Sequence, residues 1–162
     1  MTTSYSISGA LRGIVIATTI AGTLDILSAF AFAAWDGASP LGVLGGIGSA
    51  LVDRDAIGNV WIMAAIGLGL HVAIMVAMAT AYMLVAAIVP VVNRLWPLSG
   101  IVFGAILWGI MERIVLPYRW PTIFPLTGTP EIAEQLFNHI VLVGLPIAWI
   151  ARQAARWHRR YR

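Results

Sequence analysis

Four side chains that can exchange a proton or ligate a cation, Asp25, His71, Glu112 and His139, lie in otherwise largely apolar stretches, and Asn138 adjoins the last of them. Two imidazoles and two carboxylates make a donor set that suits Zn²⁺, Mn²⁺ or Fe²⁺, with nitrogen from His71 and His139 and oxygen from Asp25 and Glu112. The same groups can relay a proton or pass a small cation, with His71 as the natural switch near neutral pH. Haem held between His71 and His139 is a further arrangement, with Gly67, Gly69 and Gly144 making room, but the two histidines differ in depth, which argues against it. The plainest alternative is a hydrogen-bond network in which each polar group satisfies another and so fixes which helix packs on which.

Other chemistry finds less support. No HExxH-type spacing marks a metal pair, and a Ser or Thr nucleophile needs an adjacent base. Thr18, Thr19, Thr23 and Thr80 read more simply as packing residues that bond their own backbone. "GVLGGIG" is glycine-rich but lacks the lysine and the strand-to-helix setting of a phosphate loop. The sequence contains neither cysteine nor lysine, which removes thiolate sites, disulfides and Schiff-base chemistry. A non-enzymatic role is the expectation, either at the polar cluster or as an accessory subunit of a larger membrane assembly.

The elements that must position these groups follow from composition. Hydrophobic residues make up 60% of the chain and charged residues 10%, against about 25% charged in soluble domains; mean hydropathy is +0.88. The apolar runs Ser8–Trp35, Val60–Val92, Leu98–Pro117 and Leu136–Ala151 approach or exceed the roughly 17 to 25 residues that span a bilayer as a helix. The expected fold is all-α: one four-transmembrane-helix bundle over residues 1–162, with spans at approximately 10–35, 60–90, 98–117 and 134–151 and a basic tail at 152–162. "SAFAFAAWDG" resembles a cleavage site, but Asp25 would interrupt the apolar core of a secretory signal, so the first run reads as a retained span.

Five of the ten arginines, Arg152, Arg156, Arg159, Arg160 and Arg162, fall in the tail "RQAARWHRRYR". Basic residues beside spans stay in the cytoplasm, so both termini are expected inside, with Arg12 and Arg94 on the same side. The tail, with Trp157 and Tyr161, suits anionic lipid rather than nucleic acid, and His158 belongs to this solvated group. The outer side receives "DGASPLGVLGGIGSALVDRDAIGN" and the proline-rich "PYRWPTIFPLTGTPE", where Arg54 and Arg119 break the charge rule and acids stand beside them only in the first loop. "PLGVLGGIGSALV" is too short to cross and reads as an interfacial or re-entrant segment. Pro117, Pro121, Pro125 and Pro130 predict a folded-back cap without a continuous helix. Thr129, Pro130 and Glu131 read as the cap and first turn of the fourth span. Trp35, Trp61, Trp96, Trp120 and Trp157 mark the interfaces.

Counting inward from the outer ends places Asp25 and His71 roughly 15 Å deep, Glu112 roughly 8 Å and His139 roughly 8 to 13 Å. Helical spacing puts Gly100, Gly104, Trp108 and Glu112 on one stripe of span 3, with Arg113 about 100° further round near the surface. Gly67, His71, Met75 and Met78 form a stripe on span 2, and Gly22, Asp25, Ser28 and Ala29 one on span 1. Gln135, Asn138, His139 and Leu142 form a face of span 4, which Gly144 and Pro146 should loosen.

The stretches "AGTLDILSAF", "GASPLGVLGGIGSALV", "GLGLHVAIMVAMATAY", "IVLPYRWP" and "HIVLVGLPIAW" resemble a widespread family of small bacterial four-helix inner-membrane proteins, with YagU-like proteins as more distant relatives. The resemblance runs over nearly the whole chain in the same order. It implies an inner-membrane location and no established activity. The matching positions are Gly22, Asp25, Pro40, His71, Tyr82, Pro117, His139, Gly144 and Pro146, so the resemblance implies that His71 and His139 belong to the family's design. Glu112 and Arg113 depart from it: an amide and an apolar residue are expected there in near relatives, and a His at the Glu112 position in YagU-like ones.

Overall fold

The computed structural model describes residues 6–160, the side chains of 157–160 excepted. The expectations for Trp157, His158, Arg159, Arg160, Tyr161 and Arg162 therefore lie outside the described side chains. Among the described residues the chain is helical and contains no strand: α1 (Ile7–Trp35), α2 (Pro40–Gly48), α3 (Arg54–Ile57), α4 (Val60–Ile88), α5 (Pro90–Arg94), α6 (Trp96–Ile110), α7 (Leu116–Arg119), α8 (Thr129–Phe137) and α9 (Leu145–Arg160). Two π-helical segments, Met111–Val115 and Asn138–Gly144, join α6 to α7 and α8 to α9. Four continuous helices of 29, 29, 24 and 28 residues, Ile7–Trp35, Val60–Ile88, Trp96–Arg119 and Thr129–Arg156, are long and apolar enough to cross a membrane.

Sequence explains where these helices begin. Ser6 caps α1 by accepting from the Gly9 amide, Ser39 caps α2 at Gly42, and Asn59 caps α4 at Trp61 and Ile62, each satisfying first-turn N–H groups. Pro40 and Pro130 sit in first turns, where their missing N–H costs nothing. The fourth span starts earlier than residue 134: Gly128 is the cap and Thr129 already helical.

The third span also differs from expectation, because the helix continues through Pro117 to Arg119 instead of stopping. A proline lacks its N–H and crowds the carbonyl four residues back. Immediately before Pro117 the chain widens to the π segment, and the Leu116 amide bonds the Met111 carbonyl, five residues back. The same device recurs before Pro146, where Leu145 bonds Ile140. The shared sequence signal is Leu-Pro preceded by a helical run, and the widening absorbs the proline without breaking the span.

The interior is built from small and flexible side chains, including Ala17, Ala21, Met75, Ala79, Met83, Ala148, Ala151 and Ala154, and the large aliphatics Leu24, Leu27, Leu84, Leu98, Ile106 and Ile114 are exposed. This is the arrangement of helices that pack closely inside an apolar solvent. Glycine permits the closest approaches. A Cβ on Gly67 would lie 1.8 Å from the Leu44 carbonyl oxygen, and one on Gly104 would lie 2.3 Å from that of His139. The glycine-rich stretch after Asp36 is therefore a helix whose backbone lies directly on α4. Gly13 touches both Met83 and Ala154, so the start of α1 and the ends of α4 and α9 share one end of the bundle. The described chain ends lie together there, and α2, α3 and the proline-rich connection close the opposite end.

Candidate functional site

The polar residues expected inside the bundle separate into three groups. The first joins span 1 to span 2. His71 Nε2 lies 3.0 Å from the Gly22 carbonyl oxygen, which Gly22, lacking a Cβ, leaves open to the ring. A carbonyl only accepts, so Nε2 carries a proton and donates. That assignment decides the other side of the ring: Nδ1 faces Asp25 Oδ2 at 3.9 Å. A neutral ring would present a lone pair to the carboxyl group there, and two lone pairs repel. At 3.9 Å, beyond hydrogen-bond distance, the geometry places no proton between them, and a proton gained by either group would turn the contact attractive. The Asp25 side chain is 26% exposed and that of His71 10%, so both lie out of bulk water but within reach of it.

The second group joins span 1 to span 4. Ser28 Oγ donates to Asn138 Oδ1 at 2.9 Å, and Asn138 is 4% exposed. The neighbouring His139 donates from Nδ1 to the Gln135 carbonyl at 2.8 Å, leaving Nε2 with a lone pair. His139, like His71, lies near enough to Asp25 to interact with it electrostatically, which places His139 on the rim of the first group. The π segment beginning at Asn138 widens this turn, and Gly104 receives its backbone.

Glu112 belongs to neither group. It is 2% exposed, and its Oε1 accepts from the Leu126 amide. The carboxylate ties the proline-rich connection back onto span 3, a role the sequence did not disclose because Leu126 lies fourteen residues away along an irregular segment. Arg113 is exposed, as its position further round the helix predicted. Asp25, His71, Glu112 and His139 are not brought together as one set: among the described residues no three His, Cys, Asp or Glu side chains are grouped so as to hold a metal ion. The ligands are divided because Glu112 turns to the connection, while His71 Nε2 is committed to Gly22.

A further polar cluster was not anticipated. At the end shared by the chain ends, Tyr82 OH lies 2.8 Å from Ser99 Oγ, whose hydrogen is directed to the Val92 carbonyl at 2.9 Å. The tyrosine therefore donates to the serine. Asn93 Nδ2 donates to the Ala86 carbonyl at 3.0 Å, and Phe103 packs edge-on against Tyr82. Sequence offered only a weak signal, Tyr82 and Ser99 on different helices. Arg152 stacks over Trp96 at 6.0 Å from the ring centroid, holding the first tail arginine at this end, and Arg156 is exposed. Thr19 bonds the Val15 carbonyl, as expected of a threonine in a membrane helix, while Thr18 Oγ1 and Trp108 Nε1 are buried without a partner among the described residues. At the opposite end Arg119 pairs with Asp53 and donates from Nε to the Ser49 carbonyl. Its counter-charge thus comes from the first connection, across space.

No family model, curated protein or solved structure matches the chain.

Proposed function

We propose that this chain is a multi-pass protein of the bacterial inner membrane, with both termini cytoplasmic, whose Asp25–His71 pair binds and exchanges a proton, with His139 Nε2 as the next acceptor. The observation that carries the reading is the hydrogen bond from His71 Nε2 to Gly22, because it leaves Nδ1 as the ring nitrogen that faces the Asp25 carboxyl group 3.9 Å away. The arginine distribution supports the orientation, and the resemblance to small four-helix inner-membrane proteins supports the location. The exposed basic end suits contact with anionic lipid. Homo-oligomers and larger membrane assemblies remain compatible with the apolar outer surface.

Nitrogen-15 imidazole resonances of the full chain in lipid bilayers test this. His71 should keep Nε2 protonated throughout, and Nδ1 should gain or lose a proton between about pH 5 and 8, with a midpoint displaced by Asp25→Asn. A second reading, favoured by the Ser28–Asn138 bond between spans 1 and 4, is that the cluster only locks helices together. A single neutral tautomer of His71 across that range would establish the lock and refute proton exchange.

A further inference from the structure

The end of the bundle away from the chain ends carries an open cleft of about 670 Å³, lined by Ser49, Asp53, Arg54, Asp55, Arg119 and Trp120 among others. Its charges are unusual in their pairing. Arg119 and Asp53 satisfy each other, and the Arg119 Nε–H is taken by the Ser49 carbonyl. Arg54 and Asp55 form no ion pair among the described residues, although they are adjacent in sequence. The reason is helical: consecutive positions on α3 diverge by about 100°, so the two side chains cannot face each other. Both nevertheless line the same cleft, presenting one cation and one anion held apart. The Arg54 guanidinium reaches back over α2 at Gly46.

A simple anion entering this cleft meets two carboxylates, and a simple cation meets two guanidinium groups. A molecule carrying both charges, separated by a short linker, satisfies each. Guanidinium groups bind phosphate oxygens through paired N–H donors, and Arg119 uses only part of its donor fork within the protein. A carboxylate calls for a partner that can donate hydrogen bonds, as a primary ammonium does and a quaternary one does not. Trp120 beside the charges and the exposed Ile123 on the rim supply amphipathic and apolar surface where the spans end. We infer that the cleft holds the phosphate–ammonium headgroup of a phosphoethanolamine lipid, with Arg54 on the phosphate, Asp55 on the ammonium and the acyl chains passing over Ile123. This site is separate from the Asp25–His71 pair and shares with the proposed function only the membrane setting.

The test is native mass spectrometry of the detergent-purified full chain, offered equal amounts of phosphatidylethanolamine, phosphatidylcholine and phosphatidylglycerol. Phosphatidylethanolamine should be retained preferentially, and Arg54→Gln should weaken its retention about tenfold. Asp55→Asn should abolish the preference over phosphatidylcholine while leaving binding of the phosphate. Both positions are exposed on a short surface helix, so neither change threatens folding. Water-soluble phosphoethanolamine separates the sources: failure to compete at matched concentration supports the lipid, whereas equal competition identifies a free zwitterion and overturns the lipid assignment. Equal retention of the choline and ethanolamine lipids by the unaltered chain, or retention insensitive to Arg54→Gln, would overturn the inference outright. Loss of ethanolamine preference with intact His71 titration, or the reverse, tells the two sites apart.

Discussion

The two polar clusters within the bundle use similar parts to different ends. Around Tyr82 the donors all find acceptors at hydrogen-bond distance: the phenol and Ser99 bond each other, Ser99 has three backbone carbonyls within reach, and Asn93 donates to a fourth. Around His71 the carbonyl of Gly22 fixes one ring proton and leaves the opposite side facing a carboxyl group at 3.9 Å. The first cluster is built of neutral groups at ordinary hydrogen-bond distances and suits holding helices in register. The second leaves Nδ1 and a carboxyl group facing each other with no hydrogen bond between them, which is the opening that the proposed proton exchange uses. The difference teaches that burial of a polar group is not by itself a sign of function; what matters is whether the donors and acceptors come out even.

The largest expected effect tests the scaffold behind the responsive cluster. Gly104→Val would drive a side chain into the His139 carbonyl, which a Cβ would already approach to 2.3 Å, and should cost about 3 kcal/mol or more in a thermal or denaturant unfolding assay in detergent. Gly109→Ala on the same helix meets nothing within 4 Å and should leave stability unchanged or raise it by up to ~1 kcal/mol. Equal losses from both would refute the close packing of spans 3 and 4.

Next in size are the interhelical hydrogen bonds. Asn138→Leu removes the acceptor of Ser28, and Tyr82→Phe removes the donor to Ser99; each should cost on the order of 0.6 kcal/mol, the average for such bonds in membrane proteins. In Tyr82→Phe the loss should be the same from about pH 5 to 8, because nothing in that cluster titrates there. A loss that grows or shrinks with pH would merge the two clusters into one.

The smallest change in stability and the sharpest in kind belongs to Asp25→Asn. The amide keeps the size of the side chain but cannot take part in proton sharing as a carboxylate does, so the pH dependence of unfolding between about pH 5 and 8 should flatten. If Asp25→Asn and the unaltered chain show the same slope, the proton sought at His71 resides elsewhere.

Much of the fold was legible because membrane helices are written in long apolar runs, and the glycine stripes marked where helices meet: Gly67 of α4 against α2, and Gly100 and Gly104 of α6 against span 4. Legibility failed where distant or irregular backbone supplied the partner. Glu112 was grouped with His71, His139 and Asp25 on depth and residue type, but a loop amide takes it. Arg119 was read as unbalanced because its acid, Asp53, stands in the other connection. Pro117 was read as ending a helix, whereas a π turn carries the helix past it.

By itself the sequence determined an all-helical chain with four membrane-length apolar helices, since apolar length and the scarcity of charge leave no other way to satisfy the backbone in a lipid interior. It also determined which side chains would be costly to bury. Only the tertiary structure decided how those side chains divide among partners, because a hydrogen bond depends on distance and direction to within tenths of an ångström. Helix rotation, π widening and glycine contacts, set jointly by all four helices, determine where Gly22, Asp25 and His71 stand with respect to one another.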